Sequence, residues 1–263
     1  MYMLVNDIHL AYGDYGKGHE TTLLLIHGFP LDRRLWAAQA RGFSNLARVV
    51  APDLRGHGKS EVTPGPLTMD QHADDLAALL DHLKIRRAVV GGLSMGGYIT
   101  LAFWRRYPER VRGLILADTR AEPDSAAAQA GRSAAMARVQ QTGAAAYADE
   151  MLPRLLASGN LANPKIVGAV RTIMAEQPAA GIVGALGGLR DRADSRATLP
   201  TITVPTLVIV GEADGITPPA DAGAMAAQIP GARLAVIPNA GHLSPLENPR
   251  AFNTAVRAFL RQL

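Results

Sequence analysis

The sequence predicts a doubly wound α/β protein with a mostly parallel sheet and a helical insertion. Three observations carry this. Short apolar runs recur along the chain and each ends at a turn residue. Amphipathic helical patterns lie between them. One stretch of roughly 80 residues, from about Thr119 to Leu199, holds helical patterns but no strand.

The first element is Met3–Tyr12, whose alternation (LVNDIHLAY) suggests an antiparallel edge strand. Six apolar runs follow: Leu23–Ile26, Ala47–Ala51, Ala88–Gly92, Gly113–Ala117, Thr206–Val210 and Arg233–Ile237. They alternate little, as strands buried on both faces of a parallel sheet do. Thr68 to Leu83 reads as a helix opened by a Thr68-x-x-Gln71 capping box, with Leu76, Leu79, Leu80 and Leu83 on one face. A second helix is expected from about Ser94 to Tyr107, ending at Pro108. A third has Pro249 in its first turn and runs through Phe252, Val256, Phe259 and Leu260.

The alanine-rich insertion divides into four helices: Ser125–Gln141, Ala144–Leu156, Pro164–Glu176 and Ala179–Leu189. The expected organisation is a core of 1–118 and 200–263 with a helical cap, a lid over the sheet's C-terminal edge, at 119–199. The alternative is a further set of crossover helices.

The chain has 263 residues, 48% apolar and 19% charged, so it is globular. It has no cysteine, which excludes disulfides, thiolate metal sites and a cysteine nucleophile. The formal charge is +4, with a pI near 9.6. Basic residues come at most in doublets, so no nucleic-acid footprint is present. Asn6 and Asp7 interrupt the N-terminal segment where a signal peptide needs an apolar run, and no run approaches a membrane span. The expectation is a soluble, cytoplasmic protein without contact to membrane or nucleic acid.

The segment Val90–Gly97 (VGGLSMGG) contains Gly92-x-Ser94-x-Gly96 between a strand and a helix. A serine there sits on a sharp strand-to-helix turn, and only small residues fit two positions either side. Its hydroxyl projects above the sheet at a helix N-terminus, so Ser94 is the candidate nucleophile.

A serine nucleophile needs a base. Among His9, His19, His27, His57, His72, His82 and His242, only His242 follows the last strand on a loop at the sheet's C-terminal edge. His27 and His57 sit in loops after strands and are expected to be structural. The acid that orients His242 is Asp214, after the preceding strand. Asp118, at the end of the GLILA strand, is its rival, and Glu212 a weaker one. The backbone N–H groups of Phe29 and Met95 complete the set as an oxyanion hole.

Asp53–Ser60 (DLRGHGKS) lacks the first glycine of a phosphate-binding loop and reads as a structural turn. No dinucleotide fingerprint, Ser-x-x-Lys or metal-binding motif is present, so no cofactor and no metal are expected.

The motifs HGFP (27–30), DLRGHGKS (53–60), GGLSMGG (91–97), LADTR (116–120), GEADGITPP (211–219) and AGHLSPLENP (240–249) together resemble the α/β-hydrolases of the esterase, enol-lactonase and perhydrolase branch. That resemblance spans the chain apart from the insertion. It implies the α/β-hydrolase fold with a helical cap after the sixth strand, a Ser94–His242–Asp214 triad, and Phe29 and Met95 as oxyanion donors.

The expected activity is that of a serine carboxylesterase acting on short- to medium-chain esters, with a small-molecule substrate. A lactonase of the 3-oxoadipate enol-lactonase kind is the first alternative. A cofactor-free perhydrolase, suggested by Pro30 after the oxyanion residue, is the second. A hydrolase-fold ligand receptor is the most distant. Trp36, Ile216 and Leu243 are candidate substrate contacts, and Arg120, Arg138 and Arg154 are candidates for a substrate charge.

Overall fold

The computed structural model describes residues 1–263. Its centre is one eight-stranded sheet, in spatial order β1-β2-β4-β3-β5-β6-β7-β8. The strands are β1 (Tyr2–Val5), β2 (Ile8–Tyr15), β3 (Thr22–Ile26), β4 (Arg48–Pro52), β5 (Ala88–Leu93), β6 (Val111–Ala117), β7 (Thr206–Gly211) and β8 (Arg233–Ile237). All pairings from β4 through β3 to β8 are parallel, while β1–β2 and β2–β4 are antiparallel.

The single edge strand expected over Met3–Tyr12 is a hairpin instead. Asn6 and Asp7 both take left-handed φ, 43° and 65°. These residues tolerate that conformation, and two in succession make the tight turn that suits strand twist.

The helices cover both faces: α1 (Ala37–Phe43), α2 (Met69–His82), α3 (Met95–Arg106), α7 (Pro219–Gln228), the short α8 (Ser244–Glu247) and α9 (Pro249–Leu260). Thr68 caps α2, its hydroxyl accepting the Gln71 N–H at 3.1 Å. α1 and α7, which the sequence pattern does not single out, are short and present few apolar positions to the core. β3, β5 and β7 are buried along their whole length, which explains why their sequences run apolar without alternation.

The chain passes from β3 outward to β4, then crosses back to β5 on the other side of β3. The loops after β3 and β5 therefore diverge and leave a crevice at the sheet's carboxyl edge.

The connection from β6 to β7 carries α4 (Ala126–Leu155), α5 (Pro164–Ala175) and α6 (Ala179–Arg190). α4 is broken at Gly143, which is non-helical at φ 79° and ψ 176°, the boundary between the two helices expected from sequence. α6 meets the loops after β4 through glycines. A Cβ on Gly181 would lie 1.7 Å from the Gly56 carbonyl oxygen, and one on Gly188 would lie 1.8 Å from that of Leu67. The Leu67 N–H donates to the Gly184 carbonyl at 2.9 Å.

Candidate active site

Ser94 caps the N-terminus of α3 at φ 55° and ψ −113°, a strained conformation for a residue with a side chain. The turn is held tightly. Ser94 N–H donates to the Ala117 carbonyl at 2.9 Å, and Thr119 Oγ1 donates to the Ser94 carbonyl at 2.9 Å. A Cβ on Gly92 would stand 2.0 Å from the Gly96 oxygen, and one on Gly96 would stand 2.3 Å from the Ile26 oxygen. Strand and helix thus pass at backbone contact, and the serine hydroxyl is left at the crevice.

His242 lies on the loop between β8 and α8. Its Nε2 is 2.9 Å from Ser94 Oγ, and its Nδ1 is 2.8 Å from Asp214 Oδ2. Asp214 is buried and accepts three further hydrogen bonds. They come from the N–H groups of Ile216 at 2.8 Å and Thr217 at 3.0 Å, and from Thr217 Oγ1 at 2.7 Å. Burial pushes this carboxyl upward, but the bonds from His242 and Thr217 outweigh it and hold Asp214 below its ordinary value. The carboxylate form, which a neighbouring imidazolium needs, is therefore favoured. Thr217 was not singled out by the sequence; Asp-x-x-Thr is the spacing of a side-chain-capped turn.

Phe29 follows β3, and Met95 opens α3 directly after Ser94; neither backbone N–H is among the donors in the turns, loops and caps. The peptide bond between Phe29 and Pro30 is cis.

This arrangement coincides with close similarity to known proteins. A sequence model described as "alpha/beta hydrolase fold" matches residues 21–249. The chain belongs to the α/β-hydrolase family. It is 32% identical to 3-oxoadipate enol-lactonase 2 of Acinetobacter baylyi over 261 residues, 99% of this chain and 96% of that one. Among solved structures, a thermophilic esterase from Thermogutta terrifontis, with malate bound, is 43% identical with a TM-score of 0.96, covering 100% and 98% of the two chains. The enol-lactonase of Burkholderia xenovorans LB400 is 32% identical with a TM-score of 0.93, covering 99% and 100%.

In this hydrolase a chamber of about 340 Å³ opens above Ser94 and His242. Phe29, Tyr98, Ala135, Tyr147, Met151, Leu155, Leu189 and Ile216 supply its apolar walls, and Arg132, Arg138, Glu150 and Arg154 its charged part. Tyr147 meets Phe29 edge to face at 6.2 Å between ring centroids, so the insertion roofs the loop after β3. Of the candidate substrate contacts, Ile216 lines the chamber. Trp36 and Leu243 do not, which corrects that expectation. Trp36 is packed against Phe252, and Leu243 is wholly buried in the same apolar cluster.

The candidate charges separate as well. Arg138 pairs with Glu150 at 2.9 Å and Arg132 with Asp124 at 3.1 Å, while Arg154 has no carboxylate partner. Arg120 lies outside the chamber, bound to the Ile216 carbonyl and 3.3 Å from Asp221.

The rivals for acid and base sit elsewhere. Asp118 is fully buried and accepts from the Gly211 N–H at 2.8 Å and Ser244 Oγ at 2.5 Å. Burial, then repulsion from Asp214, pushes it well above the ordinary carboxyl value. Glu212 is exposed and accepts from the Asn239 N–H. His27 is buried with both ring nitrogens used, Nδ1 at the Gly28 carbonyl and Nε2 accepting the Leu54 N–H. The 53–60 segment is a turn organised by Asp53, which accepts from the N–H groups of Arg33 and Lys59, both at 2.9 Å. No group of three or more His, Asp or Glu side chains is placed to hold a metal ion. No helix is long and apolar enough to cross a membrane.

Proposed function

We propose that this protein is a serine carboxylesterase hydrolysing short- to medium-chain esters through an acyl-enzyme. The observation that carries the reading is the line Ser94 Oγ–His242 Nε2 at 2.9 Å and His242 Nδ1–Asp214 Oδ2 at 2.8 Å, under a chamber that Ser94 and His242 both line. His242 takes the proton of Ser94 as Oγ attacks the ester carbonyl. The Phe29 and Met95 N–H groups hold the oxyanion, each contributing about 3 kcal/mol in the transition state. Asp214 keeps the imidazole in the tautomer with the proton on Nδ1 and stabilises its charged form. His242 then protonates the leaving alcohol, and later activates water to release the acid and restore Ser94. The chamber's mixed wall has an apolar part, Phe29, Tyr147, Met151 and Leu155 among it, that suits a short acyl chain, and the esterase and enol-lactonase relatives support ester-type chemistry.

A second reading, a lactonase for carboxylated lactones, is favoured by one observation. Arg154 stands at the chamber without a carboxylate partner, beside two arginines that have one. A substrate carboxylate would supply what Arg154 lacks.

The test is hydrolysis of p-nitrophenyl esters of increasing acyl length by the wild type and by Ser94→Ala. Ser94-dependent release peaking at short chains is expected. No Ser94-dependent release on any ester would overturn the esterase reading and leave the lactone substrates to be tried.

A further inference from the structure

The AGHLSPLENP segment contains a carboxyl group that the proposed chemistry does not use. Glu247 is buried at 8% exposure, with no basic side chain paired to it. It accepts four N–H bonds, two on each oxygen. Oε1 takes the backbone N–H groups of Gly241 at 2.9 Å and Leu243 at 3.1 Å, the two residues flanking His242. Oε2 takes the N–H of Ala157 at 2.8 Å and Nδ2 of Asn160 at 2.7 Å, both in the insertion. The N–H of His242 itself donates to the carbonyl of Leu155, at the end of α4, at 2.9 Å. The two segments touch directly, since a Cβ on Gly241 would stand 2.5 Å from the Ala157 nitrogen. Asn160 Nδ2 also reaches the Asn239 carbonyl at 3.1 Å.

We propose that Glu247 is a positioning residue that makes the seating of the cap and the aim of His242 a single event. This rests on the reading of His242 as the general base. One oxygen fixes the histidine's backbone on both sides, the other fixes the cap, and the carboxyl group is rigid between them. If the cap's end moves, Oε2 loses two donors, Leu155 withdraws its carbonyl from His242, and the imidazole is freed from its line to Ser94. A displacement of about 1 Å there is enough to slow proton transfer by roughly 100-fold. Glutamine cannot replace the carboxylate. Its single oxygen can serve one pair of donors, while its NH₂ group faces the other pair as a third donor.

The experiment compares wild type, Glu247→Gln and Asn160→Leu by two measurements. The first is amide hydrogen exchange in segments 155–160 and 240–244. The second is the rate at which a fluorophosphonate reacts with Ser94, a readout of the serine–histidine pair that needs no substrate fit. Both variants are expected to speed exchange in both segments. Phosphonylation should slow by about 10- to 100-fold in Glu247→Gln and by several-fold in Asn160→Leu. Folded variants that loosen 155–160 alone, with 240–244 exchange and phosphonylation at wild-type rates, would overturn the proposal. If Glu247→Gln does not fold, Asn160→Leu decides by the same criteria. If the wild type is not phosphonylated, the serine-hydrolase reading fails, and the exchange comparison alone decides whether cap and loop are coupled.

Discussion

Ser244 and Asp118 meet at 2.5 Å between Oγ and Oδ2, joining the end of β6 to the first residue of α8, directly after the loop that carries His242. The other oxygen of Asp118 takes the Gly211 N–H, at the end of the strand that leads to Asp214. Two carboxyl groups therefore serve one histidine loop in different ways. Asp214 bonds the ring, and Asp118 ties the loop's backbone supports together.

Replacing each by asparagine separates them. Asp118, whose burial favours its neutral form, can be replaced by an amide that accepts from Gly211 and donates to Ser244. Asp118→Asn should keep activity within a few-fold. Asp214→Asn puts a donor against Nδ1 and should lower kcat by about 10³–10⁴-fold. Kinetics of the two variants on one ester check this, and the reverse ranking would transfer the acid role to Asp118.

Gly96→Ala should not give a stable, active enzyme. The new methyl would meet the carbonyl oxygens of Ile26 and His27 at 2.3 and 2.9 Å, and both are backbone atoms that cannot swing away. The expected loss is about 3 kcal/mol or more, by forced overpacking of the turn. Urea denaturation midpoints of the variant and wild type measure it.

Acid should destabilise the protein earlier than its carboxylates alone require. His27, His57 and His72 are fully buried near one another, and burial holds all three below their ordinary value, His57 at about 3 against 6.5. Asp32, Asp53, Arg33 and Arg55 are the charged groups around them. Below pH 6.5 the unfolded chain binds protons that these folded imidazoles refuse. Their contribution is complete above 6.5 and is lost as pH falls below it, for His57 down to about 3. Both ring nitrogens of His72 lack a partner, so His72→Leu should raise the denaturation midpoint and flatten its fall between pH 7 and 5.

Arg154→Ala should discriminate between substrates. Hydrolysis of an ester with a carboxylate at the far end of its acyl chain should fall about 3- to 10-fold in kcat/KM, and hydrolysis of a neutral ester of equal length should not. The difference should shrink at high salt, because Arg154 is exposed. Equal effects on both esters would remove Arg154 from substrate recognition.

Much of this was legible in the chain. Glycines two residues either side of Ser94 are demanded by backbone contact, so that turn announces itself. The strands buried on both faces leave unbroken apolar runs. Other features left a weaker trace. The β1–β2 hairpin hid in an alternating pattern, because Asn6–Asp7 turns without a glycine. Trp36 follows a motif loop in sequence yet faces the opposite layer, since a helical turn beginning at Arg33 swings it toward Phe252. Two of the four partners of Glu247 lie 87 and 90 residues away on the insertion, a distance that no local pattern spans.

The glycine face of α6 has a consequence for how the substrate range can change. At this joint Gly181 and Gly188 rest at backbone distance on Gly56 and Leu67, in the segment between β4 and α2, and Gly184 rests on Gly65 and the Leu67 side chain. The chamber-facing residues of α4, such as Ala128, Ala135 and Met151, take no part in it. Mutational drift at those positions can reshape the chamber roof while its attachment stays fixed, which makes this helix the natural place to diversify a library of new specificities.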